Sequence, residues 1–108
     1  MAFAYTVTGD FDDPAVAAEW AAWLEHGHLA EVLAGGATEA VLVRPEPTAV
    51  APLRFEARYL FADAAAFARY EQGSAPRLRA EGLARFPPSR GVRMSRAMGE
   101  VLCALPKR

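Results

Sequence analysis

The sequence is poor in cysteine and in long apolar stretches, and each shortage excludes a class of protein. Cys103 is the only cysteine among 108 residues, so one chain can build neither a disulfide framework nor a cysteine-based zinc site. The longest apolar stretch, residues 15–24, is interrupted by Glu19 and is too short to span a bilayer. The N-terminus has no cationic lead of the kind that secretion signals carry. We therefore expect a soluble, cytoplasmic protein that does not associate with membranes.

Charge is nearly balanced over the whole chain but is unevenly distributed along it. The formal net charge is −1, yet residues 1–50 carry eight acidic residues against one basic residue, and residues 51–108 carry eleven basic residues against five acidic ones. This split fits an anion-binding face on the second half, or two halves that pack with opposite charges facing each other within a domain or across a dimer. Nucleic-acid binding is not expected, because the chain is not basic overall and has no recognition motif.

Apolar periodicity and helix-capping residues divide the chain into strands and helices. Asp13 before Pro14 is typical of a helix start, and apolar residues at three- and four-residue spacing continue that helix until Gly35, with Gly27 as a point of kinking. The second half contains the most regular alternation of apolar and charged residues, which indicates a strand. In order, the predicted elements are a strand at residues 3–8, a helix at 14–33, strands at 39–44 and 53–60, helices at 63–73 and 74–86, and a strand at 91–102.

Single residues mark two expected irregularities in the strands. Gly9 is expected to end the first strand. In the last strand Val92 and Met94 share one side, and Arg96 falls on that same apolar side. This break in the pattern predicts either a β-bulge or a strand end that extends beyond the core.

The order of the elements predicts an α+β fold of the ferredoxin-like βαββαβ type. Right-handed crossovers then place the helices on one face of a four-stranded antiparallel sheet. The other face is left bare and must be covered by solvent, a ligand or a second chain. We expect residues 1–108 to form one such domain and to pair as a homodimer through this face. The residues predicted on the bare face are Thr6, Thr8, Arg54, Glu56, Arg58, Arg93 and Ser95.

The core between helices and sheet is predicted from the inward position of large apolar residues on each element. The tryptophans and the other aromatic residues of the helices are interpreted as core packing rather than as a cofactor-binding box. Neither a dinucleotide fingerprint nor a phosphate-binding loop nor a nucleophile elbow is present, and no cofactor is expected. The predicted core residues are Trp20, Trp23, Leu24, Leu33, Phe55, Phe67, Tyr70, Leu78, Leu83 and Phe86.

His28 is the one residue on which an enzymatic reaction can be hypothesised. It lies four residues after Leu24 and four before Val32, so a continuous helix would point it along the apolar stripe, where burial shifts its pKa. Such a histidine can act as a base towards an acidic carbon, but its imidazole can equally bond a neighbouring carbonyl beneath the helix. His26 lies on the opposite side of the helix, so the two histidines do not share a metal, and no metal site is expected.

Two segments resemble the bacterial domain of unknown function 4286. The resemblance is carried by residues 20–35, Tyr59, Tyr70 and residues 75–86, and it covers nearly the whole chain. It implies membership of the dimeric α+β barrel superfamily, in which two ferredoxin-like chains close their bare sheet faces into one barrel. That superfamily includes cofactorless monooxygenases, cyclases, isomerases, haem-degrading enzymes and domains with no known reaction, so the resemblance implies a fold and no single activity.

Within such a barrel, three arginines are expected to bind a small anionic or carbonyl-bearing ligand. Arg54, Arg58 and Arg93 are offset only by Glu56, and guanidinium groups are costly to leave unpaired in a partly dry cavity. The expected ligand site comprises these three arginines, Glu56 and Tyr59, with His28 or Tyr59 near one mouth of the barrel. Carboxylates of the partner chain are the competing occupants. Three functions therefore stay open: a ligand-binding homodimer, a cofactorless monooxygenase, cyclase or isomerase, and a purely structural dimer.

Overall fold

A computed structural model describes residues 1–106 and has the predicted order of strands and helices. The first helical segment is divided into two helices by a turn of π-helix, and a short 3₁₀ turn precedes the last strand. No helix within this range has both the length and the apolar character needed to cross a membrane. The elements are β1 (Phe3–Phe11), α1 (Pro14–Trp23), the π-helical turn (Leu24–His28), α2 (Leu29–Ala34), β2 (Ala37–Val43), β3 (Arg54–Phe61), α3 (Ala64–Gln72), α4 (Ala75–Arg85), the 3₁₀ turn (Pro88–Arg90) and β4 (Val92–Glu100).

The helix starts follow the predicted capping chemistry. The Asp13 carboxylate accepts a hydrogen bond from the backbone N–H of Ala15 at 2.9 Å, and Asp63 accepts one from Ala66 at 2.8 Å. The first helical segment divides at Gly27, whose backbone dihedral angles (φ 178°, ψ −46°) are not helical. The kink predicted at this glycine is therefore confirmed.

The strands form one antiparallel sheet in the order β2-β3-β1-β4, so that β1 lies in its interior. The register places Thr6 opposite Arg58, and places Asp10 opposite both Arg54 and Arg93. Cross-strand partners share a face of the sheet, so the predicted polar face is confirmed. Among the described residues, the buried side chains of the strands all lie on the other face, beneath the helices.

The prediction that Gly9 ends β1 is wrong. The strand continues through Gly9 to Phe11, with ladder partners on both sides. A Cβ atom at position 9 would lie only 2.9 Å from the ring of Phe11. A residue without a side chain is therefore needed here to leave room for that ring in the core. The glycine therefore serves close packing inside the strand.

Of the two alternatives predicted at Arg96, the β-bulge is absent, and the strand instead extends beyond the core. β4 pairs with β1 without a register shift, and Arg96 lies opposite Val7 on the helix side of the sheet. A charged residue is accommodated there because β4 is an edge strand whose helix-side face is exposed beyond Val92. Regular pairing and a charged inward position therefore coexist in this strand.

Most of the predicted core is buried, but the prediction is wrong at Leu33 and Leu83, which are exposed. In α2 the buried residue is Val32, because the π-helical turn inserts an extra residue and rotates the face that follows it. Leu83 points from α4 towards an opening between helix and sheet. The other predicted core residues are buried or half-buried and pack together: Trp20, Trp23, Leu24, Phe55, Phe67, Tyr70, Leu78 and Phe86.

The two tryptophans are expected to differ in their contribution to stability. Trp20 is only 3% exposed and packs against Phe11, whereas Trp23 is half-buried. We expect Trp20→Ala to lower the free energy of unfolding by about 3–5 kcal/mol, and Trp23→Ala to lower it by less. Urea denaturation of the two variants measures both values, and an equal cost would contradict the assigned burial.

Candidate functional site

A cavity of about 400 Å³ lies between the helix side of the sheet and the helices α1 and α4. Its walls contain both tryptophans and all three tyrosines of the chain. Small residues, Ala57 on β3 and Gly82 on α4, leave the space that these rings surround. The aromatic lining residues are Tyr5, Trp20, Trp23, Tyr59, Tyr70 and Phe86, together with His28.

Burial changes the ionisation of two tyrosines in the lining. They are Tyr59 and Tyr70, which are 2% and 4% exposed. Burial raises the pKa of Tyr70 to about 12, and burial together with the neighbouring tyrosines raises the pKa of Tyr59 further. Both hydroxyls are therefore neutral at pH 7 and able to donate a hydrogen bond into the cavity.

His28 forms part of the wall at the end of the π-helical turn. Its ring stacks on Trp23 with the centroids 4.3 Å apart, and its Nδ1 atom is buried without a hydrogen-bond partner in the described part of the chain. Burial lowers the pKa of His28, and the negative charges of Glu31 and Glu81 oppose that effect. The imidazole is therefore neutral at pH 7, with one nitrogen available as an acceptor. It forms no bond to a neighbouring carbonyl through Nδ1.

The second histidine lies outside this cavity. His26 is exposed, as its position two residues before His28 predicts, and lines a separate groove on the outer side of the π-helical turn. Trp23 and His28 line both the groove and the cavity and so separate the two spaces. Across residues 1–106, no three His, Cys, Asp or Glu side chains are grouped in a way that could hold a metal ion.

A cluster of charged residues lies where the cavity opens between α4 and β4. The Glu71 carboxylate accepts a hydrogen bond from Arg79 and another from Arg96, each at 2.9 Å. The Arg96 guanidinium also lies over the ring of Tyr5, 5.8 Å from its centroid, and donates to the Tyr5 hydroxyl at 3.4 Å. We call Glu71, Arg79 and Arg96 the mouth cluster; Arg79 and Arg96 line the cavity itself.

The five residues predicted to bind a ligand are divided between the two faces of the sheet. Tyr59 lies in the cavity, on the helix side. Arg54, Arg58 and Glu56 lie on the bare face, where Arg58 pairs with Glu56 at 2.7 Å. Arg93 also lies on that face. The structure does not bring the arginines and Tyr59 together.

Carboxylates from the acidic first half occupy the other two predicted arginines. Arg54 binds Asp10 through Nε and Nη2, at 2.8 and 3.0 Å, and this hydrogen bond lowers the pKa of Asp10. Arg93 binds Asp12 at 2.9 Å. The two halves of the sequence thus face each other with opposite charges, as the charge distribution predicted.

Sequence reasoning did not identify the mouth cluster or the cavity. Glu71 and Arg79 lie on different helices, and only the packing of α3 beside α4 brings them together. Trp23 and Tyr70 were predicted as core residues, and apolar periodicity alone does not distinguish a packed core from a cavity wall. The one available signal was Arg96, a charged residue on the apolar side of its strand.

His28 is expected to make stability depend on pH. Because its pKa is lower in the folded state than the ordinary value of 6.5, the unfolded state binds more protons just below that pH. The free energy of unfolding should therefore fall as the pH drops from 7 through this window, and His28→Asn should make the fall smaller. Denaturation across pH 5–7 measures this, with His26→Asn as the matched variant at the exposed histidine. An unchanged slope in His28→Asn would contradict the burial effect.

Comparison with known proteins identifies a family and a fold. The model of a domain of unknown function, DUF4286, matches residues 2–100. Comparison with curated proteins gives no match. Among solved structures, a dimeric ferredoxin-like protein from an uncultured marine organism is 13% identical and covers 96% of this chain and 98% of its own, with a TM-score of 0.78.

Two further structures are similar over the same length. SnoaB, a cofactor-independent oxygenase from Streptomyces nogalater, is 13% identical, covers 98% of both chains and has a TM-score of 0.69. A protein of unknown function from Nitrosomonas europaea is 20% identical, covers 100% of this chain and 98% of its own, and has a TM-score of 0.60. At these identities the structures support the fold alone. The family match spans the whole sheet and its helices, and the chain therefore belongs to the family of domain of unknown function 4286.

Proposed function

We propose that residues 1–108 act as one domain that pairs with a second copy and binds a small, largely aromatic molecule in its cavity. The observation that supports this proposal is the lining: an aromatic enclosure in which the buried Nδ1 atom of His28 has no hydrogen-bond partner among residues 1–106. Polar groups removed from water are costly unless they form hydrogen bonds. A bound molecule with matching donors and acceptors would remove that cost.

The size and composition of the cavity favour a small molecule. Ligand sites are typically concave, of about 300–1,000 Å³, and mostly apolar with a few polar groups that fix orientation. The cavity, at about 400 Å³, has these properties. A flat ring system would pack against this aromatic lining, while the Tyr59 and Tyr70 hydroxyls and the imidazole hold its polar substituents.

Filling the cavity should abolish binding without changing the surface. Ala57 is fully buried in β3 and lines the cavity, so Ala57→Leu occupies part of the space that a ligand would need. Ala18→Leu, the same change on the exposed side of α1, is the matched control. In a thermal-shift screen of phenols and aromatic acids, we expect compounds that stabilise the native protein and the Ala18→Leu variant, and no stabilisation of Ala57→Leu. A ligand at one hundred times its Kd adds about 2.7 kcal/mol.

Two outcomes of this screen would contradict the proposal. If no compound stabilises the native protein, the domain is a structural dimer rather than a binding protein. If Ala57→Leu is stabilised as strongly as the native chain, the compounds bind elsewhere. Ala57→Val, a smaller change at the same position, provides a second variant if the leucine prevents folding.

The bare face of the sheet is proposed to pair with a second copy. Its arginines carry carboxylate partners from the same chain, so a free ligand would have to displace Asp10 from Arg54 or Glu56 from Arg58. Two neutralised faces can approach each other with less repulsion than two faces of unpaired arginines. A similar solved structure is named as dimeric, which is consistent with this pairing.

Light scattering at micromolar concentration should give the mass of a dimer. Thr6→Arg adds a positive charge opposite Arg58 at the middle of the bare face and should shift the equilibrium towards the monomer. Ala18→Arg, on the exposed side of α1, should leave the mass unchanged. A monomer mass for the native chain would refute the pairing, whereas a dimer insensitive to Thr6→Arg but lost in Ala18→Arg would move the interface to the helices.

A second candidate function is a cofactor-independent oxygenase, cyclase or isomerase. The observation that favours it is the neutral His28 with an unpartnered Nδ1, which can accept a proton from an acidic carbon of a bound molecule. SnoaB, which has the same fold, is named a cofactor-independent oxygenase. Incubating a stabilising compound with the protein in air separates the two candidates. If the protein only binds the compound, chromatography recovers it unchanged; if the protein is an enzyme, chromatography detects a product. A cytoplasmic location stays a prediction from the sequence.

A further inference from the structure

We propose that the mouth cluster makes the cavity selective for an aromatic compound that carries an ionised acidic group, with the ring inside and the acidic group bound by Arg96. This inference rests on the proposed binding function and specifies its ligand class. It assigns the acid-binding role to the helix side of the sheet, where the sequence marked Arg96 only as a break in the apolar pattern.

The arginines of the two faces differ in which nitrogen atoms are occupied. Arg54 uses Nε and Nη2, the edge that binds a carboxylate side-on, to hold Asp10. Arg58 uses the same two atoms to hold Glu56. Arg96 forms both of its side-chain hydrogen bonds through Nη1, so its Nε and Nη2 have no partner within residues 1–106. The edge suited to a carboxylate is therefore occupied on the bare face and available at the mouth.

The charge of the mouth cluster also favours an anion. Two guanidinium groups, of Arg79 and Arg96, share the single carboxylate of Glu71, so the cluster has an excess positive charge. The Tyr5 hydroxyl accepts a hydrogen bond from Arg96 and keeps its own hydrogen free to donate, since no acceptor for it lies among the described residues. An acidic group at the mouth would accept hydrogen bonds from both the Arg96 guanidinium and the Tyr5 hydroxyl.

The position of the cluster suits a molecule with one apolar and one charged end. Leu83 and Met94 line the cavity and are 62% and 43% exposed, which makes the rim partly apolar. Arg79 and Arg96 are partly exposed at the same opening. A carboxylate bound there keeps contact with water, which lowers its desolvation cost, while the ring is removed from water among the aromatic side chains.

Calorimetric titration of the full chain with 2-naphthoate and 2-naphthamide at pH 7 tests the proposal, because the two compounds share the ring and differ in charge. We expect the native protein to bind naphthoate about tenfold more tightly than the amide. Arg96→Gln should remove this preference by weakening the binding of naphthoate much more than that of the amide. Glu71→Gln, which frees both arginines, should increase the affinity for naphthoate and not for the amide.

Arg90→Gln is the matched control. Arg90 has the same 35% side-chain exposure as Arg96, lies over the ring of Phe86 and pairs with a carboxylate, that of Glu19, but it does not line the cavity. It should retain the full preference for naphthoate. Equal binding of the two compounds by the native protein, or a preference that persists in Arg96→Gln, overturns the selectivity and leaves the cavity as a neutral-ligand site. If neither compound binds, the proposed function and this inference fall together.

Discussion

The alternation of side chains along β1 and β3 is the constraint on which the other features of this protein depend. Because successive residues of a strand point to opposite faces, a segment with aromatic and charged residues in strict alternation sorts them onto different sides of the sheet. Tyr5 and Tyr59 thus lie beneath the helices, whereas Thr6 and Arg58 lie on the bare face. A shift of one residue would bury guanidinium groups and expose the aromatic core, so the register is strongly determined.

The same constraint separates the two proposed activities of the chain. The proposed pairing with a second copy would use the bare face, and the proposed ligand binding would use the helix side, so neither would displace the other. The cavity remains open because its walls combine large rings with Ala57 and Gly82, and a Cβ atom on Gly82 would lie 3.3 Å from the Trp23 ring. Large and small residues therefore act together to shape a space that a uniformly large set would fill.

Much of the fold could be predicted from the sequence, because its determinants are local. Capping by Asp13 and Asp63, and the alternation in β3, are patterns within a few residues. The predictions that were wrong depended on distant contacts. Gly9 was taken as a strand end because its packing against Phe11 needs the folded core. Leu33 was placed in the core because the extra residue of the π-helical turn is not visible in apolar spacing.

The candidate site was less predictable than the fold for the same reason. Two of the three arginines chosen from the sequence, Arg54 and Arg58, lie on the most regular strand, and the partners of all three were predicted only as a class, acidic residues or a ligand. Asp10 fills that role for Arg54 from the neighbouring strand, 44 residues away. From the sequence, Arg96 appeared to be an irregularity. A charged residue on the helix side can remain exposed when its strand lies at the edge of the sheet, and local periodicity does not encode the order of the strands.

The interior position of β1 has a consequence for how the chain folds. Phe3 pairs with Phe61 on one side and with Glu100 on the other, so the first strand of the sequence completes its second ladder only with the last. Contacts this distant in sequence slow folding, since a long loop must close before they form. A nascent chain that ends before β4 would leave one edge of β1 without its partner and would lack Arg96. The opening of the cavity therefore cannot be completed before β4 joins the sheet, because β4 contributes Met94 and Arg96 to the lining.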